Sequence, residues 1–249
     1  MLSVVGAFAD RRELLFRFRE LAATGKVSER SKPGHRDGWG IICYEDGMPK
    51  YLGRSTADAT KDECYVVACD LLAGVKHPGV MMGHLRKASF GDRSIENTQP
   101  FLHGKWSFAH NGTIWSTDYR RDNGRSDSVI FFERLLKAVE AGSPILTVED
   151  AITNMVRKAR SEMVHNPDEM GRAYSSLTFI MSDGTSLYAL RDFANQRDAD
   201  YYTLHYLRTA DAIIFCQERI IEGEWKPIPN KSLASVDSQG CLNVRPCEP

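Results

Sequence analysis

Three short stretches of this chain carry side chains whose types and spacing could do chemistry. The first is Gly83-His84-Leu85-Arg86-Lys87-Ala88-Ser89, where Arg86 closes an expected strand. A guanidinium there can grip a carboxylate through two parallel hydrogen bonds. It can equally be a surface or ion-paired arginine, as most arginines are. The second is His110-Asn111-Gly112. An amide side chain beside a glycine N–H can form a two-donor hole for a developing oxyanion. The apolar flanks around Asn-Gly also predict a hairpin with a tight type I′ turn, and the two readings can hold together. The third is Asp127, which follows Ser126 at an expected helix start. The helix dipole favours a carboxylate at that place, whether it meets a cationic ligand or is simply a first-turn acid.

The elements that must position these residues alternate between strands and helices. Residues 2–9 are an apolar run, and Leu14, Leu15, Phe18, Leu21 and Ala22 recur at helical spacing over 11–23. A polar loop follows from Thr24 to Asp37. Strands are expected at 39–44 and 50–53 around Glu45-Asp46-Gly47, a helix at 57–73, and a strand at 80–84. Ser126 and Thr147 can cap helices running to about Ala141 and Met163. The pattern then turns to strands at 174–182, 186–191, 201–207 and 211–216, with Asp183-Gly184 marking a hairpin. No linker, repeat or low-complexity segment appears, so one domain over 1–249 is expected. Strands on both sides of a central helix pair predict a layered α+β fold, mostly antiparallel, with helices on the outer faces of two sheets.

The chain has 249 residues, 42% of them hydrophobic, which is enough for a full core. Its 32 basic and 33 acidic residues give a formal charge of -1. That balance argues against a nucleic-acid partner, which calls for a basic face. No apolar run approaches the roughly 18 residues of a membrane span, and the N-terminus does not read as a signal peptide. The six cysteines (Cys43, Cys64, Cys69, Cys216, Cys241, Cys247) are scattered without a CxxC pair. A reduced cytoplasmic chain with no metal site and no cofactor is expected.

Further stretches place these residues in a pattern. His35-Arg36-Asp37-Gly38-Trp39-Gly40-Ile41 sets glycines around a tryptophan, which suggests close backbone approach. Glu96-Asn97-Thr98-Gln99-Pro100-Phe101, Gln217-Glu218 and Trp225-Lys226-Pro227-Ile228-Pro229 follow. In order and spacing, from Gly6 to about residue 235, the chain resembles the glutaminase domain of class II glutamine amidotransferases. These belong to the N-terminal-nucleophile hydrolases, and the small YafJ-like branch is the most similar. The family signature has histidine where Gln99 stands. The resemblance implies a four-layer αββα sandwich and a ligand that is glutamine or a γ-glutamyl compound. It implies Asn111 and Gly112 as the oxyanion hole, with Arg86, His110 and Asp127 as substrate-binding residues. In that scheme Arg86 takes the ligand carboxylate and Asp127 its ammonium.

Residue 2 departs from the family. Its members carry a cysteine directly after the initiator methionine, four residues before a glycine. Gly6 fits the glycine, and Leu2 stands in the nucleophile register. Leucine offers no nucleophilic atom, and methionine removal requires a small second residue, so Met1 is expected to stay and no α-amine is freed at position 2. A glutaminase-like domain that binds its ligand but is catalytically impaired is the expectation. The alternatives are an amidohydrolase acting through a relocated nucleophile, Ser3 or Cys43, or a purely structural subunit. Ser3 sits one residue off register, which in a strand turns the side chain to the opposite face. Any ammonia formed would pass to a separate synthase or complex subunit. No membrane partner is expected.

Overall fold

The computed structural model describes residues 1–27, 32–75, 78–89, 91–119, 124–142 and 145–248. In chain order the elements are β1 (Leu2–Gly6), α1 (Arg11–Thr24), β2 (Trp39–Glu45), β3 (Met48–Ser55), α2 (Glu63–Ala73) and β4 (Pro78–Leu85). Then come β5 (Phe101–His103), β6 (Trp106–Asn111), α3 (Asp127–Glu140), α4 (Val148–His165), β7 (Thr178–Ser182) and β8 (Leu187–Arg191). The chain closes with β9 (His205–Arg208), β10 (Ala212–Cys216), β11 (Lys226–Pro227), β12 (Ser232–Val236) and β13 (Leu242–Pro246).

The strands form two antiparallel sheets, one ordered β11-β9-β10-β1-β4-β2-β3 and the other β13-β12-β8-β7-β6-β5. Side-chain alternation along each strand divides the apolar residues among three cores. Leu2 and Val4 of β1 face α1 and α2, where they pack with Leu14, Phe18, Tyr65 and Leu72. Met1 and Val5 join the layer between the sheets with Ile42, Met82, Ala109, Ile180 and Ala234. Phe108, Phe179 and Leu190 of the second sheet face Phe131 and Leu135 of α3 and Val156 of α4. The order of layers is therefore helices, sheet, sheet, helices, as the resemblance implies.

Local chemistry sets the boundaries. Thr147 and Asp150 form a reciprocal capping box at the start of α4. Helix α2 begins later than expected because Asp62 caps it, accepting from the Cys64 N–H at 2.9 Å. Strand β9 likewise starts at His205, four residues late, after a short 3-10 turn at Gln196–Asp198. The expected Asn-Gly hairpin is not formed. Asn111 ends β6, and neither it nor Gly112 has positive φ. The hairpin belongs instead to β5–β6, whose loop is Gly104-Lys105 with Gly104 at φ 56°. A type I′ turn requires positive φ at both central residues. Asn111-Gly112 instead leads out of the sheet toward an isolated bridge between Ile114 and Tyr174.

Candidate active site

Antiparallel pairing brings the start of β1 and the ends of β4 and β10 to one end of the first sheet. Leu2 lies opposite Gly83 on one side and Cys216 on the other. Met1, His84 and Gln217 therefore stand side by side, and the Gln217 N–H donates to the Met1 carbonyl at 3.3 Å. The second sheet contributes the end of β6, and α3 contributes its first turn. Arg86, His110, Asn111, Gly112 and Asp127 all line the cavity formed there, together with Met1, His84 and Gln217.

Arg86 is 4% exposed. Its backbone is tied to the glycine-tryptophan segment: the Arg86 N–H donates to the Gly38 carbonyl at 2.8 Å and the Asp37 N–H to the Arg86 carbonyl at 2.9 Å. Nη2 donates to the Asp92 carbonyl at 2.9 Å, while Nη1 is buried without a partner. A buried guanidinium nitrogen without a partner is costly, and its chemistry suits an anionic acceptor. The glycines flanking Trp39 do permit close approach, since a methyl group at Gly40 would collide with the Gln99 carbonyl.

Asp127, also 4% exposed, opens α3. Its Oδ2 accepts from the Ile114 N–H at 2.6 Å. Burial pushes this carboxyl above its ordinary range, and His110 together with the Ile114 N–H pulls it back. Ser126 holds the helix start through its backbone rather than its side chain, donating its N–H to Asn97 Oδ1 at 2.8 Å. Asn97 Nδ2 in turn donates to the carbonyls of Asp92 and Gly124, at 3.2 and 2.7 Å.

Asn111 Oδ1 accepts from the Tyr201 hydroxyl at 3.2 Å. Burial raises the Tyr201 pKa, so the phenol keeps its proton and can donate. This fixes the amide with Nδ2 as its free donor. Gly112 must be glycine, because a methyl group there would run into the Ser176 carbonyl. The His110 ring lines the cavity, but both nitrogens are engaged: Nδ1 with Ser128 Oγ at 2.8 Å and Nε2 with the Ser176 carbonyl at 3.0 Å. The carbonyl can only accept, so Nε2 carries the proton and Nδ1 accepts from the serine. Burial lowers the His110 pKa and keeps the ring neutral. Gln99, at the family's histidine position, accepts the His110 N–H through Oε1 at 2.5 Å.

The residues considered for nucleophilic attack are arranged differently. Leu2 is fully buried on the helix side and is not part of the cavity wall; Met1 is. The Met1 α-ammonium donates to Gln217 Oε1 at 2.9 Å, and burial lowers its pKa. Ser3 is buried and donates to the Met81 carbonyl at 2.7 Å, outside the cavity wall. Cys43 lies in the helix-side core, and burial pushes its thiol up to about 11. Neither Ser3 nor Cys43 is brought to Asn111 and Gly112.

Several lining residues escaped the sequence argument as site residues, among them Tyr201, Gln217, Asn97 and His84. Tyr201 was legible only as the first residue of the strand expected over 201–207. Gln217 and Asn97 appear in patterned segments with nothing to assign their contacts. His84 is 7% exposed, with Nδ1 unpartnered and a pKa held well below the ordinary value by burial. Among the described residues, no group of three or more His, Cys, Asp or Glu could hold a metal ion. No helix there is long and apolar enough to cross a membrane.

Comparison with known proteins bears directly on this arrangement. An uncharacterized protein of Methanocaldococcus jannaschii is 27% identical over 183 residues, 70% of this chain and 46% of the relative. The putative glutamine amidotransferase YafJ of Escherichia coli is 33% identical over 107 residues, 36% of each chain. The chain thus spans less than half the length of these curated relatives. A class-II glutamine aminotransferase domain protein from Silicibacter pomeroyi shares the fold, with a TM-score of 0.63 at 18% identity over 85% of this chain and 92% of that one. The family described as class-II glutamine amidotransferases matches residues 5–212, which begins after Leu2 and takes in Arg86, His110, Asn111, Gly112 and Asp127. The chain belongs to the class-II glutamine amidotransferase family.

Proposed function

We propose that this chain binds glutamine or a γ-glutamyl compound in the cavity and does not hydrolyse it. Arg86 Nη1 takes the α-carboxylate, Asp127 takes the α-ammonium, and Asn111 Nδ2 with the Gly112 N–H faces the side-chain carbonyl. Amide hydrolysis needs a nucleophile and a base at that carbonyl as well as donors for the oxyanion. The observation that carries the reading is the pairing of an unpartnered, buried Arg86 Nη1 with a cavity wall in which β1 supplies Met1 instead of a thiol. The ligand-holding half of the chemistry is supported, and the bond-breaking half is not.

Calorimetric titration with glutamine and glutamate tests it. Binding is expected, and Arg86→Ala is expected to abolish it. Equal binding by the two proteins, or binding by neither, would leave a structural subunit as the better account.

One contact favours a second reading. Ser128 Oγ lies 2.8 Å from His110 Nδ1, and both residues line the cavity. A hydroxyl beside a neutral imidazole whose other nitrogen is held by a carbonyl is an arrangement that can activate a nucleophile. Turnover of glutamine that disappears in Ser128→Ala would establish this reading.

A further inference from the structure

The cavity's polar atoms differ in what they still have to offer. Two of its side-chain amides are each pinned through their oxygens: Asn111 Oδ1 by the Tyr201 hydroxyl, and Gln217 Oε1 by the Met1 α-ammonium. What each presents is therefore nitrogen. Gln217 Nε2 is buried without a partner, as are His84 Nδ1 and Arg86 Nη1. The Met1 ammonium itself stands between His84 and Gln217, next to β4 and β10.

Of the two carboxylates in the wall, Asp127 already accepts from the Ile114 N–H, and it is the group suited to an α-ammonium. Glu218 is half-buried and accepts from the Lys26 N–H at 2.8 Å. With Asp127 committed, the unpartnered nitrogens Arg86 Nη1 and Gln217 Nε2 ask for acceptors. A carboxamide brings one acceptor and two donors, whereas a carboxylate brings acceptors only. A carboxamide NH2 placed against Asn111 Nδ2 and Gln217 Nε2 meets donors, so its own hydrogens find no acceptor on those two groups. A carboxylate there gains charge-assisted hydrogen bonds instead.

We propose that the pocket selects an α-amino acid with a second carboxylate at its far end, glutamate in class, over the corresponding carboxamide. The selection rests on the reading of the cavity as an amino-acid site and refines its ligand. Arg86 and Asp127 hold the amino-acid head. Asn111 Nδ2, the Gly112 N–H and Gln217 Nε2 surround the far carboxylate, beside the Met1 amino group. The occupied pocket then resembles one that retains a hydrolysed product.

The test is calorimetric titration of the purified chain with L-glutamate and with L-glutamine, after intact mass has confirmed that Met1 is the first residue. Glutamate is expected to bind at least about tenfold more tightly, the worth of one charge-assisted hydrogen bond. In Gln217→Glu the unpartnered nitrogen becomes an acceptor oxygen, and the preference is expected to shrink or invert. Glutamine binding as well as or better than glutamate in the unaltered chain overturns the selectivity and leaves the amino-acid site standing. Binding of neither overturns the site itself. Should Gln217→Glu fail to fold, the ratio measured on the unaltered chain decides.

Discussion

Arg86 and Asn97 meet on one oxygen: Arg86 Nη2 and Asn97 Nδ2 both donate to the Asp92 carbonyl, at 2.9 and 3.2 Å. Asn97 Oδ1 also accepts the N–H of Ser126, the residue before Asp127. One buried asparagine therefore links the cation that suits a ligand carboxylate to the helix start that carries the anion for its ammonium.

Asn97→Ala removes three hydrogen bonds and leaves the Ser126 N–H without its acceptor, while the Asp92 carbonyl keeps Arg86 Nη2 and the Gly124 carbonyl keeps the Asp92 N–H. It is expected to cost about 2–3 kcal/mol of stability, at roughly 1 kcal/mol for each hydrogen bond. Urea unfolding measures that cost. Ligand affinity should fall as well, because Arg86 and Asp127 lose their common tether. A variant with unchanged stability and affinity would show that the link is incidental.

The Asn111 amide depends on Tyr201 for its orientation. Tyr201→Phe leaves Oδ1 unpaired and lets the amide turn. Glutamate affinity is expected to fall by about fivefold, or about 1 kcal/mol. The fold should survive, since the ring remains. An unchanged affinity in titration would mean that the amide is held by other means.

How far the sequence reaches is shown by these same residues. Arg86, Asn111, Gly112 and Asp127 were legible because residue type and neighbouring pattern point to them, and all four line the cavity. The alternation in β1 placed Leu2 and Ser3 on opposite faces. The Asn-Gly hairpin was misjudged because turn propensity is local, while a methyl at Gly112 is barred by the carbonyl of Ser176, 64 residues downstream in sequence numbering. Tyr201 and Gln217 act on partners 90 and 216 positions away, so no window of sequence could pair them. Sequence register also made residue 2 the position to watch, whereas the cavity wall receives Met1 from that strand.

Acid should weaken the fold through the buried histidines. Burial lowers His35 to about 4, holds His84 well below its ordinary value, and lowers His110. In the unfolded chain each titrates near 6.5. The unfolded state therefore binds more protons below that pH, so this stability is full above about 6.5 and is lost as pH falls toward the folded values. Between pH 7.5 and 5.5, His35 alone should cost about 1 kcal/mol, and the other two act in the same direction. Urea midpoints at those two pH values check it. A midpoint that does not fall would mean that the rings are protonated in the folded protein.

Leu2→Cys asks whether the remaining chemistry can be restored. A small second residue permits removal of Met1, which would leave a free α-amine at position 2 and let the thiol turn from the helix-side place of Leu2 into the part of the wall that Met1 vacates. Replacing a fully buried leucine should cost about 1–3 kcal/mol, so folding must be confirmed first. Ammonia release from glutamine is then expected to rise at least about 10²-fold over the unaltered chain, the scale associated with one oxyanion donor. A processed, folded variant that stays inert would mean that the wall has changed beyond its nucleophile. Gln99, whose Oε1 holds the His110 N–H, would be the first residue to examine. Phe90, the other residue to suspect from sequence, lies outside the described residues.

The central claim is that the ligand-holding half of a glutaminase persists here without its bond-breaking half. Ammonia released from L-glutamine by the unaltered, purified chain tests it most directly, with intact mass confirming that Met1 and Leu2 are present. The account predicts release no faster than the protein-free background. Sustained turnover, with glutamate and ammonia appearing in equal amounts, would contradict it.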